Sequence, residues 1–202
     1  MVSWRAVFWD VDTQADFMLP GGKLYVPGAE KLIRNLGRLV DAAREGKVLL
    51  VSSADAHTPQ DEEFREWPPH CLKGTPGQQK IPETLTEKPL VVPNRPGADL
   101  PARFDESGQL ILEKQKLDVF TNPNIEAVLE RLGTQAEFVV FGVVTEYCVC
   151  LAAKGLLERG RRVAIVTDAI ETLKQAAGQR TLEELTAKGA RLITTGQALA
   201  LP

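Results

Sequence analysis

A parallel, three-layer α/β/α architecture of Rossmann type, in one domain spanning residues 1–202, is what this chain predicts, and three observations carry the prediction. Short continuous apolar runs at 48–51, 138–141 and 163–166 have the length of strands buried on both faces. Longer segments between them place apolar residues at helical spacing. The chain has 202 residues, 44% hydrophobic and 25% charged, which is ordinary globular composition and enough for a sizeable core.

The first strand holds Val7-Phe8-Trp9. Leu32, Ile33, Leu36, Leu39, Val40 and Ala43 then form one face of a helix, closed by Gly46. Residues 48–51 are the second strand. Residues 54–109 are irregular and rich in Pro, Gly and charge. Leu110-Ile111-Leu112 is a short strand. Asn122-Pro123 reads as an N-cap followed by Pro at the first helical position. That helix shows Ile125, Val128, Leu129 and Leu132 on one face and stops at Gly133. Strand 138–141, helix 146–159, strand 163–166, helix 173–188 (with Leu182 and Leu185) and strand 192–194 complete the alternation. Alternating elements imply a parallel sheet with helices on both faces, and its site is expected beyond the carboxyl ends of the strands.

The bulk properties exclude several function classes. A net charge of -3 gives no electrostatic case for nucleic acid or an anionic membrane. The start, Met-Val-Ser-Trp-Arg, does not read as a signal peptide, and no apolar run approaches a membrane span. Three cysteines, Cys71, Cys148 and Cys150, are no disulfide framework, so a cytoplasmic setting is expected.

Four segments at expected strand ends carry chemistry. Cys148 follows strand 138–141 and the breaker Gly142, and precedes the helical pattern Leu151, Ala152, Ala153, Leu156, Leu157. A sulfur in the first turn of a helix faces unpaired N–H groups and the positive dipole end, which favours the nucleophilic thiolate. A lone cysteine there is equally a small buried hydrophobe. Asp10-Val-Asp12-Thr-Gln14-Ala-Asp16-Phe17 sends three carboxylates out of a buried strand; one suits a general base and another a loop anchor, or all are turn formers. The third segment runs from Ser53-Ala-Asp55-Ala-His57 through Asp61-Glu62-Glu63-Phe64 to Trp67-Pro-Pro-His70-Cys71. It holds both histidines of the chain beside an acidic cluster. That is a candidate site for zinc, iron or manganese, or else a solvated acidic loop. The fourth is Glu113-Lys114-Gln-Lys116, where Lys114 could hold its ammonium near a thiolate and a carboxylate, or snorkel to the surface. Asp, Lys and Cys from three strand ends supply a nucleophile, a proton acceptor and a cation.

With these residues set out, the chain resembles the isochorismatase-like cysteine hydrolases, and among them the nicotinamidases. The family pattern Asp-x-Gln-x-Asp-Phe stands as Asp12-Thr-Gln14-Ala-Asp16-Phe17. The metal-loop pattern stands as Asp55-Ala-His57 and as Trp67-Pro-Pro-His70-Cys-Leu-Lys-Gly-Thr-Pro-Gly77. Lys114 with Phe120, Gly142 to Cys148-Val149, and the stretch around Asp168 match further motifs, so the similarity covers roughly residues 5 to 195. The resemblance implies an isochorismatase-like hydrolase fold, with Asp12 as base, Lys114 as second triad member and Cys148 as nucleophile. It implies Asp55, His57 and His70 as ligands of one divalent metal ion, zinc first, with iron or manganese as alternatives. Glu63 completes the set, with Asp61 or Glu62 as fallbacks. Phe17, Trp67 and Tyr147 would pack around a pyridine ring. A cis Val143–Val144 peptide would aim the N–H groups of Val144 and Cys148 at an oxyanion.

The implied activity is hydrolysis of nicotinamide to nicotinate and ammonia through a thioester, within NAD salvage. A relative acting on isochorismate, a carbamoyl or a ureido compound is one rival. A non-catalytic metal- or thiol-binding protein is another. The expected partner is a small-molecule amide, with no nucleic acid and no membrane, and a homo-oligomer left open. Ala15, Leu117-Asp118 and the loop 93–108 depart from the pattern of many nicotinamidases, and bear on the substrate more than on the reaction.

Overall fold

The computed structural model describes residues 4–104 and 108–201. Its strands are β1 (Ala6–Val11), β2 (Leu49–Asp55), β3 (Leu90–Val92), β4 (Gln109–Lys114), β5 (Glu137–Val143), β6 (Arg162–Glu171) and β7 (Arg191–Ile193). They form one sheet in the order β3-β4-β2-β1-β5-β6-β7, and every pairing is parallel. The helices are α1 (Ala15–Met18), α2 (Ile33–Arg44), α3 (Ile125–Leu132), α4 (Cys150–Glu158), α5 (Gln175–Ala187) and α6 (Thr195–Ala198).

Side chains alternate across a strand, and the two faces of β1 show what each layer is built from. Val7, Trp9 and Val11 pack with Val128 and Leu129 of α3, Ala152 and Leu156 of α4, and Leu185 of α5. Ala6 and Phe8 pack with Leu36, Leu39 and Val40 of α2 and Ala198 of α6. All six residues of β1 and all seven of β2 are buried, as strands covered on both faces must be. Among the described residues no helix is long and apolar enough to cross a membrane.

Several local readings change. β3 lies inside the segment read as irregular; it is three residues long, at the sheet edge, with Val91 exposed, too short for a period to show. The N-terminal end of α3 belongs to Asn124, not Asn122. Asn122 instead forms a turn, accepting from the Asn124 N–H and donating to the Glu113 carbonyl. The helix expected over 146–159 opens with a wide turn, Thr145–Val149, in which the Val149 N–H reaches the Val144 carbonyl five residues back. Such turns recur at functional sites. Cys148 sits in this turn, ahead of α4. The helix expected from 173 starts at Gln175.

One glycine sets how closely the two central strands approach. Gly142 has φ +117, and a Cβ there would stand 2.1 Å from the Val11 carbonyl oxygen. The ends of β1 and β5, which lead to Asp12 and Cys148, are therefore closer than any side chain allows. Gly142→Ala is expected to lower unfolding free energy by more than about 3 kcal/mol in urea titration, from clash and strained φ together.

Candidate active site

Four polar side chains converge beyond the carboxyl ends of adjacent strands. Asp12 follows β1, Asp55 ends β2, Lys114 ends β4 and Cys148 follows β5. Lys114 is 0% exposed. Its Nζ lies 2.9 Å from Asp12 Oδ2, donates a short hydrogen bond to Asp55 Oδ1 and stands 3.7 Å from Cys148 Sγ. Asp12 has φ +51, a left-handed conformation that Asp tolerates better than most residues, and its Oδ1 accepts from Ser53 Oγ at 2.6 Å. Asp12 Oδ2 is buried and, beyond its ion pair with Lys114 Nζ, has no hydrogen-bond partner among the described residues. That leaves a lone pair for the Cys148 proton.

Opposing influences act on the three reacting groups. Burial pushes the Cys148 thiol well above its ordinary value; Lys114 opposes this, while Asp12 and Asp55 add to it. Burial also raises Asp12, with Lys114 opposing and Asp55 adding, which makes it a stronger proton acceptor. Lys114 stays charged: burial pulls it down, but Asp12 and Asp55 carry it well above its usual range.

Asp55 also faces a second cluster. Its Oδ2 lies 3.6 Å from His57 Nε2 and 3.5 Å from His70 Nε2, and Glu63 Oε1 lies 3.8 and 3.7 Å from the same nitrogens. One ligand atom from each of these four residues falls within 4.8 Å of all the others. His57 Nδ1 is engaged by Asp61 Oδ2 at 3.0 Å, and His70 Nδ1 by the Pro68 carbonyl at 2.8 Å, so both Nε2 atoms are turned inward. His57 Nε2 is buried and without a hydrogen-bond partner. Two imidazole nitrogens and two carboxylates around one point, one nitrogen orphaned, fit a divalent transition metal or zinc. Asp61 is thus the outer partner of His57, bound also by the Thr58 N–H and hydroxyl, and Glu62 is exposed.

Other side chains anchor the loops. Gln14 Nε2 donates to the Asp55 and Gln78 carbonyls, and Gln14 Oε1 accepts from the Asp55 N–H. Asp16 accepts from the Cys71 and Lys23 N–H groups, so it is the anchor among the three early carboxylates. Asp10 is buried behind the site and pairs with Lys80 at 2.7 Å. Nothing in the spacing marked Lys80 for this. Cys71 is buried at φ +43 and Cys150 is half-buried in the first turn of α4; neither faces the cleft.

The cleft is narrow, with a cavity volume of about 30 Å³. Asp55, Glu63, His70 and Cys148 form its polar side. Phe17, Trp67 and Tyr147 line it, with the Trp67 and Tyr147 rings edge-to-face at 5.4 Å. Leu24, Val26, Leu117, Val144 and Leu173 complete the wall. Leu24, Val26 and Leu173 gave no signal in sequence, because aliphatic residues in loops have no period. No described lining residue is Arg or Lys. The described part of loop 93–108 is absent from the lining; Asn124 holds it through the Pro93 and Arg95 carbonyls, and Phe104 joins the core beside α3. Residues 105–107 of that loop lie outside the described residues. The Val143–Val144 peptide is cis.

The isochorismatase domain model matches residues 10–197, and the chain belongs to that family. It is an isochorismatase-family hydrolase, and within the family it is similar to nicotinamidases. The nicotinamidase of Escherichia coli (strain K12) is 24% identical over 209 aligned positions, covering 91% of this chain and 92% of that one. The pyrazinamidase of Pyrococcus horikoshii, solved in complex with zinc, superposes with a TM-score of 0.75 at 27% identity, covering 94% and 99%. An N-carbamoylsarcosine amidase from Thermoplasma acidophilum shares the fold at a TM-score of 0.73 and 24% identity, covering 95% and 96%.

Iodoacetamide is expected to label Cys148 before Cys71 or Cys150, as read by peptide mass mapping, because Cys148 lines the cleft while the other two do not and Asp12 stands beside it to take the proton. The labelling rate should still climb with pH where a free thiol, near about 8.5, levels off, because the site holds the thiol high. Lys114→Ala should slow labelling about tenfold per pKa unit added, and should cost about 3–5 kcal/mol of stability by leaving two carboxylates unpaired. Lys116 is exposed, and Lys116→Ala should change neither.

Proposed function

We propose that this chain is a cysteine amidase for small, uncharged aromatic carboxamides, nicotinamide first among them. The observation that carries the reading is the division of the cleft. A Cys148–Asp12–Lys114 cluster and a four-donor cluster share Asp55, and the remaining described lining is wholly uncharged, aromatic and aliphatic. A substrate carrying a carboxylate, such as isochorismate, would find no Arg or Lys among the described lining residues.

In this mechanism Asp12 Oδ2 takes the Cys148 proton as the sulfur attacks the carboxamide carbonyl, and Lys114 steadies the thiolate as it forms. The Val144 and Cys148 N–H groups receive the oxyanion. Asp12 then returns the proton to the leaving nitrogen, ammonia departs, and the same carboxylate activates the water that hydrolyses the thioester. Phe17, Trp67 and Tyr147 enclose the ring and limit water. A divalent metal, zinc first by donor chemistry, would be held by Asp55, His57, Glu63 and His70, and would supply a Lewis acid for a ring nitrogen.

The test is ammonia release from nicotinamide by protein loaded with zinc, iron or manganese, beside carbamoyl and ureido compounds. Turnover of nicotinamide with the others inert supports the reading; preference for a carboxylated substrate defeats it. His57→Ala or His70→Ala should remove stoichiometric metal, measured by elemental analysis, and raise KM for nicotinamide at least about tenfold, the loss of one good contact.

A further inference from the structure

One edge of the cleft is tied to the same turn that carries Cys148. Residues 172–174 join the end of β6 to α5, and three of their donors converge on one side chain. Glu146 Oε1 accepts from the Leu173 N–H at 3.1 Å and the Lys174 N–H at 2.8 Å, and Glu146 Oε2 accepts from Thr172 Oγ1 at 2.6 Å. Thr145 Oγ1 adds a bond of 2.7 Å to the Glu171 carbonyl. Thr172 is also wedged against α5, where a Cβ on Gly178 would meet its hydroxyl at 2.6 Å. The carboxylate lies at the N-terminal end of α5, where charge and unpaired N–H groups favour it. No side chain of the helix itself caps that end.

Leu173 is the product of this tethering. It is 38% exposed, yet it lines the cleft beside Leu24, Val26, Tyr147 and Cys148. A partly exposed aliphatic side chain thus stands at the cleft, and the segment carrying it is pinned by hydrogen bonds to Glu146. We infer that Leu173 is a specificity-determining residue and that Glu146 is the positioning residue that latches it, so that the mouth admits a flat unsubstituted ring and rejects one bearing an added alkyl group. This deepens the amidase reading and rests on it for the substrate class.

The experiment has two arms. The first compares kcat/KM for nicotinamide and for a nicotinamide alkylated on the ring. Leu173→Ala should shift that ratio about tenfold toward the larger amide, the worth of one or two methylenes in an apolar pocket. Glu146→Ala should shift it the same way, mainly through KM, while Glu146→Gln, which keeps an acceptor, should stay near the parent. The second arm needs no turnover: the labelling rate of Cys148 by N-phenylmaleimide relative to iodoacetamide. Both alanine variants should raise that ratio about tenfold by the same opening. If nicotinamide is not hydrolysed at all, the amidase reading fails and the labelling arm still judges the lip. Leu173→Ala leaving the labelling ratio unchanged overturns the proposal. So does Glu146→Ala lowering kcat at unchanged KM, since Glu146 would then act on the nucleophile turn alone. Should Glu146→Ala not fold, Leu173→Ala and Glu146→Gln decide between these outcomes.

Discussion

A buried ammonium between two buried carboxylates is the constraint around which this protein is arranged. An unpaired charge in the interior is costly enough that breaking such a set costs about 3–5 kcal/mol. Lys114 is fully buried and contacts Asp12 and Asp55 together, so three strands must end at matched heights. Parallel register supplies this. Lys114 is the register partner of Asp55, and the Asp12 N–H bonds the Ser53 carbonyl one strand over. A slip of one residue in β4 would turn Lys114 to the opposite face and strand both carboxylates.

Asp55 makes two chemistries share one group. One oxygen meets the lysine of the nucleophile cluster; the other faces the two histidines. Lys114 and those histidines hold Asp55 well below the ordinary carboxylate range, against the upward pull of burial. A change on either side is therefore felt on the other. The loop that brings His57, Glu63 and His70 to this point has little regular structure. It is held by Gln14 and Asp16, which bond main-chain groups of Asp55, Cys71 and Gln78. The early motif thus supplies the proposed base and the braces for the loop across the cleft.

The thiol result shows where local reasoning stops. A cysteine after a strand and before a helix suggested a thiolate. In the folded chain Cys148 is buried in a wide turn beside two carboxylates, and burial together with them pushes its thiol up. Lys114 alone acts against that balance. Activation then depends on the acceptor: Asp12, raised by burial and with a free lone pair, becomes the partner of the sulfur.

Much of the protein could be read from residue order. Apolar runs and helical spacing are local properties, so six of seven strands and the alternation were visible; only edge strand β3, three residues long, was too short. The acidic, histidine and cysteine motifs were visible because their residue types are rare and chemically distinct. Leu173, the Glu146 tether, the Asp10–Lys80 pair and the place of Asp61 outside the four-donor cluster could not be read. Each depends on groups distant in sequence, or on which oxygen of a side chain faces which neighbour. Sequence order can name the groups that carry charge and nucleophilicity. Burial, and the distances it imposes between those groups, decides which of them holds the proton.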